Sequence, residues 1–173
     1  MRLPEDSIAG LETEHQGVRA VWTRRVVVSL IAVLVLAGLA GYAGDKVGTR
    51  TTHAPPWSVQ VQYPRVSRPG LDVPWQVTVR HEGGFKGQLQ LAVTASYFDI
   101  FESQGFDPEP TNEAADGSTL YLSFNPPPSG DTFVLSFDAY IQPTSQQGQS
   151  GSLSVVDHGQ RVATTHFTTT LLP

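Results

Sequence analysis

The chain has 173 residues, 39% of them hydrophobic and 16% charged, with 11 basic against 16 acidic side chains and no cysteine. A net charge of −5 argues against a nucleic-acid partner, because phosphate backbones are held by basic faces. Without cysteine there is no disulfide framework, thiolate metal site or lipid-bearing thiol, so any folded part rests on its hydrophobic core alone.

Residues 1–25 carry four basic side chains (Arg2, Arg19, Arg24, Arg25) and four acidic ones (Glu5, Asp6, Glu12, Glu14) and show no apolar periodicity. This reads as a neutral, disordered cytoplasmic tail. Residues 26–43 follow as about 18 residues whose clearly polar groups are the Ser29 and Tyr42 hydroxyls. A helix of that length reaches about 27 Å, close to the hydrocarbon thickness of a bilayer. The apolar core of a secretory signal runs only about 7 to 15 residues, so the spacing predicts a retained signal-anchor helix whose first partner is the lipid bilayer. The alternative is an exported soluble domain released by cleavage. Gly41-Tyr42-Ala43 offers small residues for a Sec-type cut, and Thr23-Arg24-Arg25 ahead of three valines matches the twin-arginine pattern.

Orientation follows from the flanking charge. Arg19, Arg24 and Arg25 precede the span, and Lys46 and Arg50 follow it beside Asp45. That predicts a cytoplasmic N-terminus and an exported C-terminal part, a single-pass protein of the plasma membrane. Ala37, Ala40, Gly41 and Gly44 share one helical face, where small side chains would let the helix self-associate or dock on a larger membrane protein. Against this stands the simpler reading that small residues collect at the outer end of an anchor.

Residues 44–56, GDKVGTRTTHAPP, lack apolar periodicity and end in a proline pair, which predicts a flexible tether. From residue 57 the period becomes two. Trp57, Val59, Val61 and Tyr63 alternate with polar neighbours, as do Trp75, Val77 and Val79, then Leu89, Leu91, Val93 and Ala95. Further runs centre on Leu120-Leu122-Phe124, on Phe133 through Ile141, on Leu153-Val155 and on residues 162–171, with turn chemistry at Pro69-Gly70, Gly83-Gly84, Asp116-Gly117, residues 126–130, residues 146–151 and His158-Gly159. About seven strands in residues 57–173, with no helical stretch between them, predict an all-β antiparallel sandwich outside the membrane.

The entry Arg68-Pro69-Gly70, the strand VPWQVTVRHEGG and a last strand after a DHGQ turn resemble the extracytoplasmic immunoglobulin-like or fibronectin-like domains of bacterial membrane-anchored proteins. The resemblance implies an immunoglobulin-like sandwich with Trp75 as a core aromatic. The Cys-Trp-Cys arrangement of antibody domains is missing, so no binding residue carries over.

Catalytic constellations do not complete. Gly148-Gln149-Ser150-Gly151-Ser152 lacks the final glycine of a nucleophile elbow, and His81-Glu82 opens a zinc-protease pattern that Gly83-Gly84-Phe85 does not continue. His53, His158 and His166 are scattered, and Asp157-His158 is ordinary turn chemistry. No cofactor or catalytic residue is expected, and an enzyme with an unrecognised site is the third reading.

The acidity is more particular. No lysine or arginine occurs between Lys86 and Arg161, while nine acidic residues do. Residues 102–118 read as a long acidic loop with Phe98, Phe101 and Phe106 at its start and Pro108 and Pro110 stiffening it. Asp107, Glu109, Asn112, Glu113 and Asp116 could offer oxygens to Ca²⁺, although their spacing matches no established calcium loop, and the plainer reading is a solvated loop that keeps the domain soluble. Together these features predict a membrane-anchored binding or accessory protein whose exported domain contacts another membrane or cell-envelope protein.

Overall fold

The computed structural model describes residues 18–39, 44–102, 105–125 and 130–173. The chain divides into two compact units, Met1–Ala43 and Gly44–Pro173. In the first, helix α1 spans Val18–Leu39. Within it Arg19–Leu39 is long and apolar enough to cross a membrane, and none of that segment is buried against protein. The helix starts eight residues ahead of the expected residue 26, because VRAVWTRR contains no breaker and the helical backbone continues past the end of the apolar run. Arg19, Arg24 and Arg25 therefore stand on the helix, and residues 18–25 do not belong to a disordered tail.

The second unit holds two packed sheets in a sandwich-like arrangement. Sheet A contains β1 (Lys46–Ala54), β2 (Trp57–Ser67), β3 (Asp72–His81), β5 (Phe106–Asp107) and β8 (Thr132–Tyr140), in the order β1-β2-β3-β8-β5, with β11 (Thr170–Leu171) parallel to β2. Sheet B contains β4 (Leu89–Thr94), β6 (Asn112–Asp116), β7 (Thr119–Phe124), β9 (Ser150–Asp157) and β10 (Gln160–Thr168), in the order β10-β9-β4-β7-β6. All pairings except β11 with β2 are antiparallel.

Alternation explains the core. Val59, Val61 and Tyr63 of β2, Trp75, Val77 and Val79 of β3, and Phe133, Leu135 and Phe137 of β8 turn inward to meet Leu89, Leu91, Val93, Leu122, Phe124, Leu153 and Val155 of sheet B, and all are buried. The β9–β10 connection is a two-residue hairpin. His158 (φ 48°) and Gly159 (φ 76°) both take the left-handed conformation that lets such a turn follow the strand twist.

Two expectations are corrected. Among the described residues the strand count is eleven, because β1, β5 and β6 join the patterned runs, the run 162–171 divides into β10 and β11, and a short 3₁₀ helix, Ala95–Ile100, follows β4. The tether is the second. Residues 46–54 form β1, paired along its length with β2 from Lys46↔Val66 to Ala54↔Trp57. Its polar residues hid it, since an edge strand is held by backbone pairing and, here, by hydroxyls. Thr52 Oγ1 donates to the Thr164 carbonyl (3.0 Å) and accepts from Thr165 Oγ1 (2.8 Å), which ties β1 across to β10. Gly48 faces Tyr63 so closely that a Cβ there would lie 2.8 Å from the ring. The flank is thus closed by small and hydroxylated residues, which carry no hydrophobic period.

Candidate functional site

The opposite flank, where β5 and β6 are the last strands of their sheets, is built around the 3₁₀ helix. Its sequence ASYFDI sends Tyr97 and Ile100 into the core and leaves Phe98 half-buried and Asp99 exposed. Tyr97 Oη bonds Thr169 Oγ1 at 2.8 Å, and burial pushes the phenol above its ordinary pKa, so it stays neutral. The segment after the helix is fixed to the end of β8. The Glu102 N–H donates to the Tyr140 carbonyl (2.9 Å), the Gln142 N–H to the Ile100 carbonyl (2.9 Å), and Gln142 Nε2 to the Phe101 carbonyl (2.7 Å).

Between this segment and the two edge strands lies a groove of about 660 Å³. Its floor is aromatic: Phe98, Phe101 and Phe106 with Phe137 of β8. Ring centroids lie 5.2 Å apart for Phe98–Phe137, 5.1 Å for Phe106–Phe137 and 5.6 Å for Phe98–Phe106, the last edge to face at 89°. Trp75 stands behind the floor with its ring edge-on to Phe98 at 5.4 Å, and its buried Nε1–H has no hydrogen-bond partner.

The rim is acidic. Asp99, Glu102, Glu109 and Glu113 line the groove, no lysine or arginine does, and none of the four makes an ion pair among the described residues. With like charges gathered over a low-dielectric floor and no internal counter-charge, a cation entering the groove meets a one-signed field.

The expected acidic loop is therefore not a loop. It contains β5 and β6, and β6 pairs with β7 from Asn112↔Ser123 to Asp116↔Thr119. The five oxygen-bearing residues proposed for Ca²⁺ are parted by that strand geometry. Asp107 belongs to sheet A and Asn112, Glu113 and Asp116 to sheet B, and alternation sends Asn112 and Asp116 to the face opposite Glu113. Only Glu109 and Glu113 of the five line the groove. Among the described residues no three His, Asp or Glu side chains are grouped to hold a metal ion.

Of the small-residue face, Ala37 lies on α1 and Gly44 opens the second unit, while Ala40 and Gly41 fall outside the described residues. The Ser150 and Ser152 hydroxyls bond the hydroxyls of Thr168 (2.9 Å) and Thr94 (3.1 Å). His81 packs against Trp57 with the rings tilted at 59° and their centroids 4.3 Å apart, and His158 is 96% exposed at its turn, 3.7 Å from Asp157. Phe137 and Leu120 were missed as groove residues, since only the pairing of β8 with β5 and of β7 with β6 brings them there. No protein-family model matches the chain, and no curated protein matches it.

Proposed function

We propose that this is a single-pass membrane-anchored binding protein, its N-terminus cytoplasmic and its β unit exported, that holds a basic segment of another cell-envelope component in the groove between β5 and β6. The observation that carries the binding role is the groove: an aromatic floor under four carboxylates without counter-charges. Lysine and arginine have long apolar stems and charged ends, so an extended basic segment can lay its stems on the rings and its charges on the rim. The length and apolar character of Arg19–Leu39 support the anchor, and Arg19, Arg24 and Arg25 at its start support the orientation.

Strand order supports an immunoglobulin-like reading of the sandwich. With β2, β3, β4, β8, β9 and β10 as strands A, B, C, E, F and G, the sheets run A-B-E and G-F-C, and β7 and β6 extend the second beyond C as extra strands do in variable-type domains. The chain order of that extension is reversed, because the later strand, β7, is the one beside β4.

Copurification after gentle detergent extraction tests the binding role. Wild-type chain should retain a membrane partner that rising salt releases, and the Glu109→Gln/Glu113→Gln variant should associate about tenfold more slowly at low ionic strength with little change in dissociation. Retention that is indifferent to salt and to both substitutions would remove the groove from the binding surface.

A further inference from the structure

The two flanks of the β unit carry opposite charge. β5 and β6 end their sheets at the acidic groove, while β1 and β10 end the same sheets at the other side, joined by the Thr52 bonds to Thr164 and Thr165. Along that second flank runs a cleft of about 470 Å³ lined by Arg50 of β1, Arg65 of β2 and the exposed His166 of β10, together with the buried rings of Tyr63 and Phe167. Arg50 sits opposite Val61 in the β1–β2 register, so it shares that face of sheet A, and its side chain remains exposed at the mouth of the cleft. No carboxylate lines the cleft, and neither arginine makes an ion pair or hydrogen bond among the described residues. Two arginines lining one cleft without a counter-ion leave their charge uncompensated, and a phosphate supplies that compensation while matching the planar donor pairs of a guanidinium.

We propose that the cleft between β1–β2 and β10 is a phosphate site that seats the β unit on phospholipid headgroups. The proposal rests on the anchored reading above. The headgroup is the source the chain favours, because β1 begins at Lys46, seven residues after α1 ends at Leu39. Even a fully extended connection of that length spans only about 25 Å, so β1 stays close to any bilayer that α1 crosses. The rest of the unit does not share this attraction. Residues Gly44–Pro173 carry seven basic and twelve acidic side chains, a net charge of −5, and an anionic surface would repel them at every other orientation. Seating the basic flank on the bilayer leaves the acidic groove, on the opposite flank, open to a partner.

The full chain, incorporated through α1 into phosphatidylcholine nanodiscs and into phosphatidylcholine–phosphatidylglycerol nanodiscs, gives the test by amide hydrogen exchange. Peptides from β1 should exchange at least about fivefold more slowly on the anionic discs, while β6, on the other flank, exchanges equally on both. Arg50→Gln/Arg65→Gln should abolish the difference with an unchanged thermal midpoint, as expected for exposed side chains. Equal β1 exchange on both lipids in fully incorporated chain would overturn the proposal and leave the anchor intact. So would protection produced on phosphatidylcholine discs by inorganic phosphate alone, which would make this a free-anion site. Failure of the chain to enter discs at all would overturn the anchor and the seating together.

Discussion

Trp75→Ala is expected to destabilise the β unit by about 3 to 5 kcal/mol, a large part of the whole stability of a domain this size. Trp75 is 1% exposed, on the inward face of β3 opposite Phe137 of β8. Its indole meets Phe98, Phe106 and Phe137 edge-on at 5.4, 6.4 and 6.2 Å, so truncation empties a volume walled by rings that strands and the 3₁₀ helix hold in place. Those walls cannot collapse inward without dragging the groove floor with them. Denaturant unfolding of the two proteins measures the loss, and a change below about 1 kcal/mol would mean that the ring is not a core element. Trp75→Phe separates packing from polarity. It keeps most of the apolar surface and removes an N–H that is buried with no partner. An unsatisfied buried donor costs about 1 to 3 kcal/mol, so the phenylalanine variant should lose far less than the alanine variant.

Gly148→Ala is expected to cost about 3 kcal/mol, the upper part of the range for forced overpacking. A Cβ at Gly148 would lie 1.9 Å from the Thr169 carbonyl oxygen, 2.8 Å from its carbon and 2.9 Å from Thr170 Cα. These are backbone atoms, which no rotamer change can move aside. The segment they belong to is held at several points. The Thr169 N–H donates to the Gln149 carbonyl (2.9 Å), Tyr97 Oη bonds Thr169 Oγ1 (2.8 Å), β11 pairs with β2 at Val66 and Ser67, and the Leu172 N–H donates to the Ser67 carbonyl (2.8 Å). Displacing it therefore strips β11 from sheet A and leaves the buried Tyr97 hydroxyl without its partner. Gly87→Ala, where nothing lies within 4 Å of the added carbon, is the matched control and should unfold at the wild-type midpoint. Equal midpoints for the two alanine variants would show that the 169–171 segment yields freely.

Much of this was legible in the residues, for a physical reason. β2, β3, β8 and β10 alternate buried with more exposed residues over most of their length, and β4, β7 and β9 keep large apolar residues at every second position although small or polar residues between them are buried too, so each writes period two into the sequence. The strands that were missed bury almost nothing or are very short. β6 is exposed at all five residues, β5 has two residues, and β1 meets its neighbours through Gly48 and Thr52. Backbone pairing makes them strands, and backbone pairing leaves no mark on side-chain polarity. The groove was half legible. Phe98, Phe101, Phe106 and the acidic run lie close in sequence, whereas Phe137 arrives through the β8–β5 pairing. The basic cleft was not legible at all, because Arg50 and Arg65 read as scattered charges until β1 is folded back on β2 and His166 is carried to them by β10.

The most direct test of the anchored reading is the intact mass of the chain recovered from alkaline-washed membranes, combined with protease added to the outer face of unbroken cells. The expected result is a membrane-bound species that retains the residues ahead of Val26, with Gly44–Pro173 reached by the external protease and the arginines at the start of α1 protected. A soluble species whose N-terminus lies near Gly44 would contradict it and establish cleavage and release, and protection of the β unit with digestion of the N-terminal side would contradict the orientation.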